Sequence, residues 1–132
     1  MKKNTLLIVA GIIIVVILGG FVSYQSYKGT SPIAAGALDA FAKCIKDSGT
    51  IFYGAYWCPH CQRTKAMFGS SAKLLPYVEC SMPDGQTQTP ICIAKKIVSY
   101  PTWVFPDGSQ ITGEHTLQEL AAKTSCQLPA GI

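Results

Sequence analysis

Residues 51–61, Ile-Phe-Tyr-Gly-Ala-Tyr-Trp-Cys-Pro-His-Cys, constrain this chain more than any other stretch. They open as an apolar, aromatic run of strand type (Ile51, Phe52, Tyr53). They end on two cysteines three apart, after which residues 62–68 read as helix. A chain with this pattern has to bury a strand and turn it directly into a helix. The first helical turn presents N–H groups without intrahelical partners and the positive end of the helix dipole, so a thiolate at Cys58 is stabilised there. Pro59 suits the first helical position, because its missing N–H would have had no partner. The i, i+3 spacing puts Cys61 on the same face, one turn deeper. A disulfide can then close across that turn, with Cys58 outermost and Cys61 shielded. His60 adds to this if it is cationic or donates a hydrogen bond to the Cys58 thiolate. Either effect stabilises the reduced form and makes the disulfide a stronger oxidant. The plainer alternative is a solvated histidine on an exposed turn.

The cysteine pair has two other readings, a structural disulfide or half of a zinc site completed by Cys80 and Cys92. Eleven residues separate Cys80 from Cys92, which is not the spacing of a second zinc knuckle. The pair also follows a strand and opens a helix, which is a redox context.

The start of the chain is of another kind. Lys2 and Lys3 precede residues 5–24, which carry no charge and are almost wholly aliphatic. About 20 helical residues span the hydrocarbon core of a bilayer. Residues 19–23 offer no good small-x-small cleavage site, and Tyr24 and Tyr27 suit a membrane interface. The expectation is a membrane anchor, or uncleaved signal, over residues 1–24, a linker over 25–31, one domain over 32–127 and a tail over 128–132. Lys2 and Lys3 would keep the N-terminus in the cytoplasm and leave the domain on the extracytoplasmic side, periplasmic or outer. Six cysteines suit such an oxidising compartment. Without residues 1–24, nine Lys and Arg remain against seven Asp and Glu, a balance that points to no nucleic-acid partner.

In the domain, Ser31-Pro32 reads as a helix start, and Ile33, Ala34, Ala37, Leu38, Phe41 and Ile45 form one apolar stripe that ends at Gly49. The central strand (residues 50–56) and the Cys58 helix follow, and Gly69-Ser70-Ser71 ends or interrupts that helix. Residues 76–80 form a short strand, and residues 81–89 a polar loop. Thr89-Pro90 starts a further helix by N-cap and proline logic. Residues 97–105 form a β-type run broken by Pro101, an edge or an irregularity. Pro106-Asp107-Gly108 turns the chain into a return strand, residues 109–112. Thr116 and Glu119 have capping-box spacing ahead of a last helix with Leu117, Leu120 and Ala121 on its apolar face. Trp57, Trp103, Phe41 and Phe105 are expected mostly in the core, with Trp57 also able to cover the cysteines. His115 reads as a surface residue. The order helix, strand, helix, strand, helix, strand, strand, helix gives an α/β domain, a small mixed sheet with helices on both faces.

The run Trp57-Cys58-Pro59-His60-Cys61, with Ser99-Tyr100-Pro101-Thr102 and Gly113, resembles the thioredoxin superfamily over roughly residues 33–126. The Pro-His dipeptide is similar to that of the DsbA-type oxidases. The whole set, with Tyr77-Val-Glu-Cys80 and Cys92, most resembles the thioredoxin-like domains associated with bacterial vitamin K epoxide reductase homologues. The resemblance implies that Cys58 attacks and forms the mixed disulfide, and that Cys61 resolves it. It implies a cis bond at Pro101, with Tyr100 and Pro101 bordering the substrate peptide. It implies a Cys80–Cys92 bridge, which leaves Cys44 and Cys126 either to tie the first helix to the last or to stay free and buried. Phe52 stands where thioredoxin carries a buried acid, so the usual proton acceptor for Cys61 is missing.

The function these observations point to is a membrane-anchored thiol–disulfide oxidoreductase, a disulfide donor to exported cysteine-containing proteins. Two thiols carry the chemistry, and neither a cofactor nor a metal is implied. A separate membrane redox partner, of vitamin K epoxide reductase or DsbB type, would reoxidise the pair. The alternatives are a reductase or isomerase using the same cysteines, and a non-catalytic peptide-binding module.

Overall fold

The computed structural model describes residues 34–132, together with Ile13, Ile14 and Val16. Those three are helical and exposed. The remainder of the expected anchor, the linker and the Ser31-Pro32 helix start lie outside the described residues. Among the described residues no helix is long and apolar enough to cross a membrane. The chain divides into two units, Met1–Pro32 and Ile33–Ile132, and the second carries the fold.

The first helix, α1 (Asp39–Asp47), is shorter than the apolar stripe suggested. Residues 35–38 form a turn, because Gly36 takes φ +79° and leaves the helical region. The Gly36 N–H instead donates to Ser70 Oγ at 2.9 Å. The stripe still does its work, since Leu38, Phe41 and Ile45 are buried. Ser48 caps α1, and Gly49 at φ +81° turns the chain away.

Strand β1 (Ile51–Gly54) leads into α2 (Pro59–Met67). A 3-10 helix, Gly69–Leu74, follows and packs on α1, where Ser71 Oγ donates to Asp39 Oδ1 at 2.6 Å. Then come β2 (Tyr77–Glu79), α3 (Pro90–Ala94), β3 (Thr102–Val104), β4 (Gln110–Thr112) and α4 (Leu117–Thr124). At α3 the proline logic holds but the cap does not. Pro90 is in the first turn, yet the Thr89 side chain makes no cap bond, because its hydroxyl donates to the Glu79 carbonyl at 3.2 Å. At α4 the capping box is complete in both directions, a device that stabilises a helix by about 1 kcal/mol.

The four strands lie in the order β2-β1-β3-β4, with β1 parallel to β2 and the other neighbours antiparallel. Side chains alternate across this sheet. Phe52 and Trp103 pair across β1 and β3 and stack at 4.5 Å, in the core cluster built by α1, α2 and α4. Tyr53 points the other way, into a smaller cluster with Cys80, Cys92 and Ile97. Two disulfides fasten the periphery. Cys44–Cys126 joins α1 to the segment after α4 across 82 residues of sequence, and Cys80–Cys92 closes the loop between β2 and α3. A bridge over a loop of the first size contributes about 2–4 kcal/mol. The architecture fits a thioredoxin-like fold.

Candidate active site

The end of β1 delivers the chain to α2 through Ala55, Tyr56 and Trp57, and Cys58 takes the N-cap position with extended backbone. Pro59 occupies the first turn. Cys58 and Cys61 are both free thiols. Cys58 is 4% exposed and Cys61 1%, so the outer thiol is only a window in the surface and the inner one is covered. The backbone N–H of Cys61 donates to Cys58 Sγ at 3.4 Å, the contact through which a helix start stabilises a thiolate. On its other side Cys58 Sγ donates to the Tyr100 carbonyl at 3.6 Å. Tyr100-Pro101 is a cis peptide, so this loop lies against the outer thiol.

Trp57 is not a core residue. It is about half exposed, with its indole N–H donating to Ser81 Oγ at 2.8 Å and its ring edge-on to Tyr100 at 6.0 Å. Tyr56 beside it is also half exposed. Set against Tyr100, the Trp57 ring walls one side of the Cys58 opening. Trp103, Phe41 and Phe105 are buried.

His60 does not face Cys58. Its Nδ1 lies 2.5 Å from Glu114 Oε1 and 2.8 Å from Arg63 NH2. Arg63, one turn further along α2, donates to both Glu114 oxygens. Glu114 follows Gly113, which takes φ +95° after β4, so this trio ties α2 to the loop after β4 on the exposed side of the dithiol. The Arg63 hydrogen bond, and after it the one with His60, hold the Glu114 carboxyl down at about 2. Glu114 in turn raises Arg63.

The inner thiol has different neighbours. A Cβ placed on Gly54 would lie 2.8 Å from Cys61 Sγ, 2.9 Å from Tyr77 Cε2 and 3.4 Å from Tyr77 Oη. Glycine is therefore required there for the thiol and the phenol ring to stand on either side of one gap. The Tyr77 hydroxyl donates to Glu79 Oε2 at 2.7 Å. Glu79 Oε1 accepts from the backbone N–H groups of Ser81 at 2.8 Å and Tyr56 at 3.2 Å. Lys65 Nζ stands 3.2 Å above the Tyr77 ring, a cation–π contact. Burial pushes the Cys61 thiol up to about 12, partly offset by a backbone hydrogen bond and by Lys65. Burial also raises Tyr77, with Glu79 adding to it, and lowers Lys65. Phe52, in the place of the familiar acid, is fully buried and packed on Trp103 and Tyr77.

Cys80 and Cys92, which a zinc site would have needed, are bonded to each other. Among the described residues no three His, Cys, Asp or Glu side chains converge as metal ligands. His115 lies half-buried at the start of α4, with Nε2 3.2 Å from the Thr112 carbonyl and Nδ1 3.5 Å from Glu119, outside the contacts of the dithiol. Glu114, Arg63, Ser81, Tyr77, Glu79, Lys65 and Gly54 escaped sequence reasoning. Only Glu79 left a signal there, as a lone charge inside a short strand one residue before a cysteine.

No family model matches the chain. It is similar to the thiol-disulfide oxidoreductase LTO1 of Arabidopsis thaliana, at 44% identity over 94 residues. The match covers 67% of this chain and 24% of that relative, so the chain spans about a quarter of the length of the curated relative it matches.

Proposed function

We propose that this chain is a thiol–disulfide oxidoreductase that works through the Cys58/Cys61 pair. The observation that carries the reading is the position of Cys58: N-cap of α2, Sγ facing the Cys61 N–H at 3.4 Å, and a narrow opening beside the cis Tyr100-Pro101 loop. The similarity to a thiol-disulfide oxidoreductase supports it. In the donor direction, a client thiolate attacks Sγ of Cys58 in the 58–61 disulfide. The S–S bond breaks, and Cys61 leaves with the electron pair and is protonated. A second client thiolate then attacks the client's own sulfur in the mixed disulfide. The client departs with a new disulfide and the pair is left as two thiols. Tyr100, Pro101 and the Trp57 wall border the client segment.

The finer reading is a disulfide donor to exported proteins. It is held at the outer face of a membrane by residues 1–24 and reoxidised by a quinone-linked membrane protein of vitamin K epoxide reductase or DsbB type. The uncharged run of residues 5–24 and the two further disulfides support an oxidising, membrane-adjacent setting. One observation favours the reverse, reducing direction: His60 Nδ1 is engaged by Glu114 and Arg63 rather than by the Cys58 thiolate. Glutathione titration of the 132-residue chain in detergent micelles decides between them. A donor gives a potential near the strong-oxidant end, about −120 to −180 mV, and a reductant one near about −270 mV. Cys58→Ser abolishes turnover in either direction, of a dithiol peptide by the disulfide form or of a disulfide peptide by the dithiol form, and Cys61→Ser traps the mixed disulfide when offered a disulfide peptide. Turnover that survives Cys58→Ser would overturn the reading.

A further inference from the structure

Cys61 poses a problem that the dithiol reading leaves open. A buried thiol has to lose its proton when it attacks and regain one when it leaves. The residue on β1 that could have served is Phe52, an aromatic ring inside the core. Tyr77, from the next strand, shares with Cys61 the gap that Gly54 leaves open. Tyr77 Oη and Cys61 Sγ lie within 3.4 Å and 2.8 Å of one point, the position of a Cβ that Gly54 lacks. Tyr77 already donates its own hydrogen to Glu79, so its oxygen lone pairs are left to accept. Glu79 is held by two backbone N–H groups on its other oxygen, which fixes Oε2 on the phenol. Lys65 lies one helical turn beyond Cys61 on α2 and keeps a positive charge over the ring.

We propose that Tyr77 and Glu79, with Lys65 over the Tyr77 ring, form the proton-exchange group of Cys61, displaced one strand from the place where Phe52 stands. The inference rests on the dithiol reading above. When Cys61 attacks a mixed disulfide at Cys58, its proton passes to Tyr77 Oη while the Tyr77 proton passes to the Glu79 carboxylate. The 58–61 bond forms, and the client sulfur leaves with the electron pair. In the donor direction the same transfer runs backwards, from a protonated Glu79 through Tyr77 to the Cys61 thiolate. The height of the Cys61 thiol on the pH scale makes such assistance necessary at neutral pH, since the thiolate is the nucleophile. The other titratable groups around the pair are Cys58 at the start of α2, Tyr100 in the loop before β3, and the trio His60, Arg63 and Glu114, whose mutual contacts lie on the exposed side.

The test is a two-phase reaction of the reduced 132-residue chain, in detergent micelles, with the aromatic disulfide DTNB. The first phase is bimolecular and reports Cys58. The second is unimolecular and reports Cys61 attacking the mixed disulfide. Tyr77→Phe keeps the ring against Phe52 and Lys65, and Glu79→Gln keeps an acceptor for Ser81 and Tyr56, so two independent variants remove the relay without emptying the site. The second phase is expected to slow about 10²-fold at neutral pH in both. Its pH profile loses the neutral plateau and rises in proportion to hydroxide, while the first phase stays within about twofold. Slowing by one constant factor at every pH, or no slowing, overturns the inference while the dithiol reading stands. A parent chain that shows no second phase overturns both.

Discussion

Cys58 has an exposed, charged flank and Cys61 a half-buried, aromatic one. The first is made of His60, Arg63 and Glu114, side chains that are from a third to a half exposed. The second is made of Gly54, Tyr77, Glu79 and Lys65, packed on the Phe52–Trp103 stack. The contrast follows from where each flank grows. The inner flank rises from the inner strand β1 and its edge neighbour β2, where parallel backbone pairing sets the register. The outer one joins a helix to a loop through long side chains. Exposed ion pairs of that sort contribute little to stability, because solvent screens them and ordering them costs entropy. Overpacking a core, by contrast, destabilises by about 1–3 kcal/mol. The inner flank is therefore expected to govern whether the site holds its shape, and the outer flank to adjust the charge seen by Cys58.

Gly54→Ala is the sharpest way to break that contrast. The added methyl would meet Cys61 Sγ and the Tyr77 ring, both nearer than carbon atoms tolerate. Denaturant unfolding should show a loss of about 1–3 kcal/mol, whereas Glu114→Gln should change stability far less, because solvent screens its ion pairs. Equal losses from both would show that the flanks do not differ in the way argued.

A subtler separation comes from alkaline pH. The Cys61 thiol is raised in the folded state, so its preference for the proton stabilises the fold fully below the ordinary thiol value, about 8.5. Above that value the unfolded chain releases a proton that the folded chain keeps, and stability falls until about pH 12. The dithiol form should thus lose stability across this window faster than the disulfide form or Cys61→Ser. Parallel curves for all three would remove the case for a buried, proton-holding Cys61.

Much of the fold could be read from residues 50–126 directly. The order of elements follows from alternation in the strands and from caps that act through neighbouring atoms: Pro59 and Pro90 in first turns, Gly49 after α1, Thr116 with Glu119. What misled was local chemistry with two outlets. Gly36 broke a stripe that looked continuous, and the Thr89 hydroxyl chose the Glu79 carbonyl over its own helix. Trp57 looked like core and is an exposed wall, because a hydrogen bond to Ser81 satisfies its N–H at the surface. The cysteines of the site were legible because their spacing is local. Their partners were not, since Glu114 lies 54 residues from His60 and Tyr77 comes to the Gly54 gap beside Cys61 from a neighbouring strand. Side chains that meet only through sheet register leave no pattern in a single sequence.

The smallest expected effect tests the outer flank alone. Glu114→Gln removes an anion that lies on His60 and Arg63 and keeps the shape of the side chain. The Arg63 cation is then uncompensated near Cys58, which favours its thiolate and so the reduced form. The potential of the pair should rise, becoming more oxidising, by on the order of 10 mV. Acid pH should reproduce the same change in the parent chain. Glu114 is depressed to about 2, chiefly by Arg63, so its attraction for that cation is fully present above the ordinary glutamate value, about 4.3. It is lost as pH falls from there through about 2. The gap between parent and Glu114→Gln, in potential and in stability, should accordingly be flat at neutral pH and close over that acid window. A gap that persisted below pH 2 would mean that Glu114 acts by its shape and not by its charge. The outer flank would then be one more piece of packing, no different in kind from the inner.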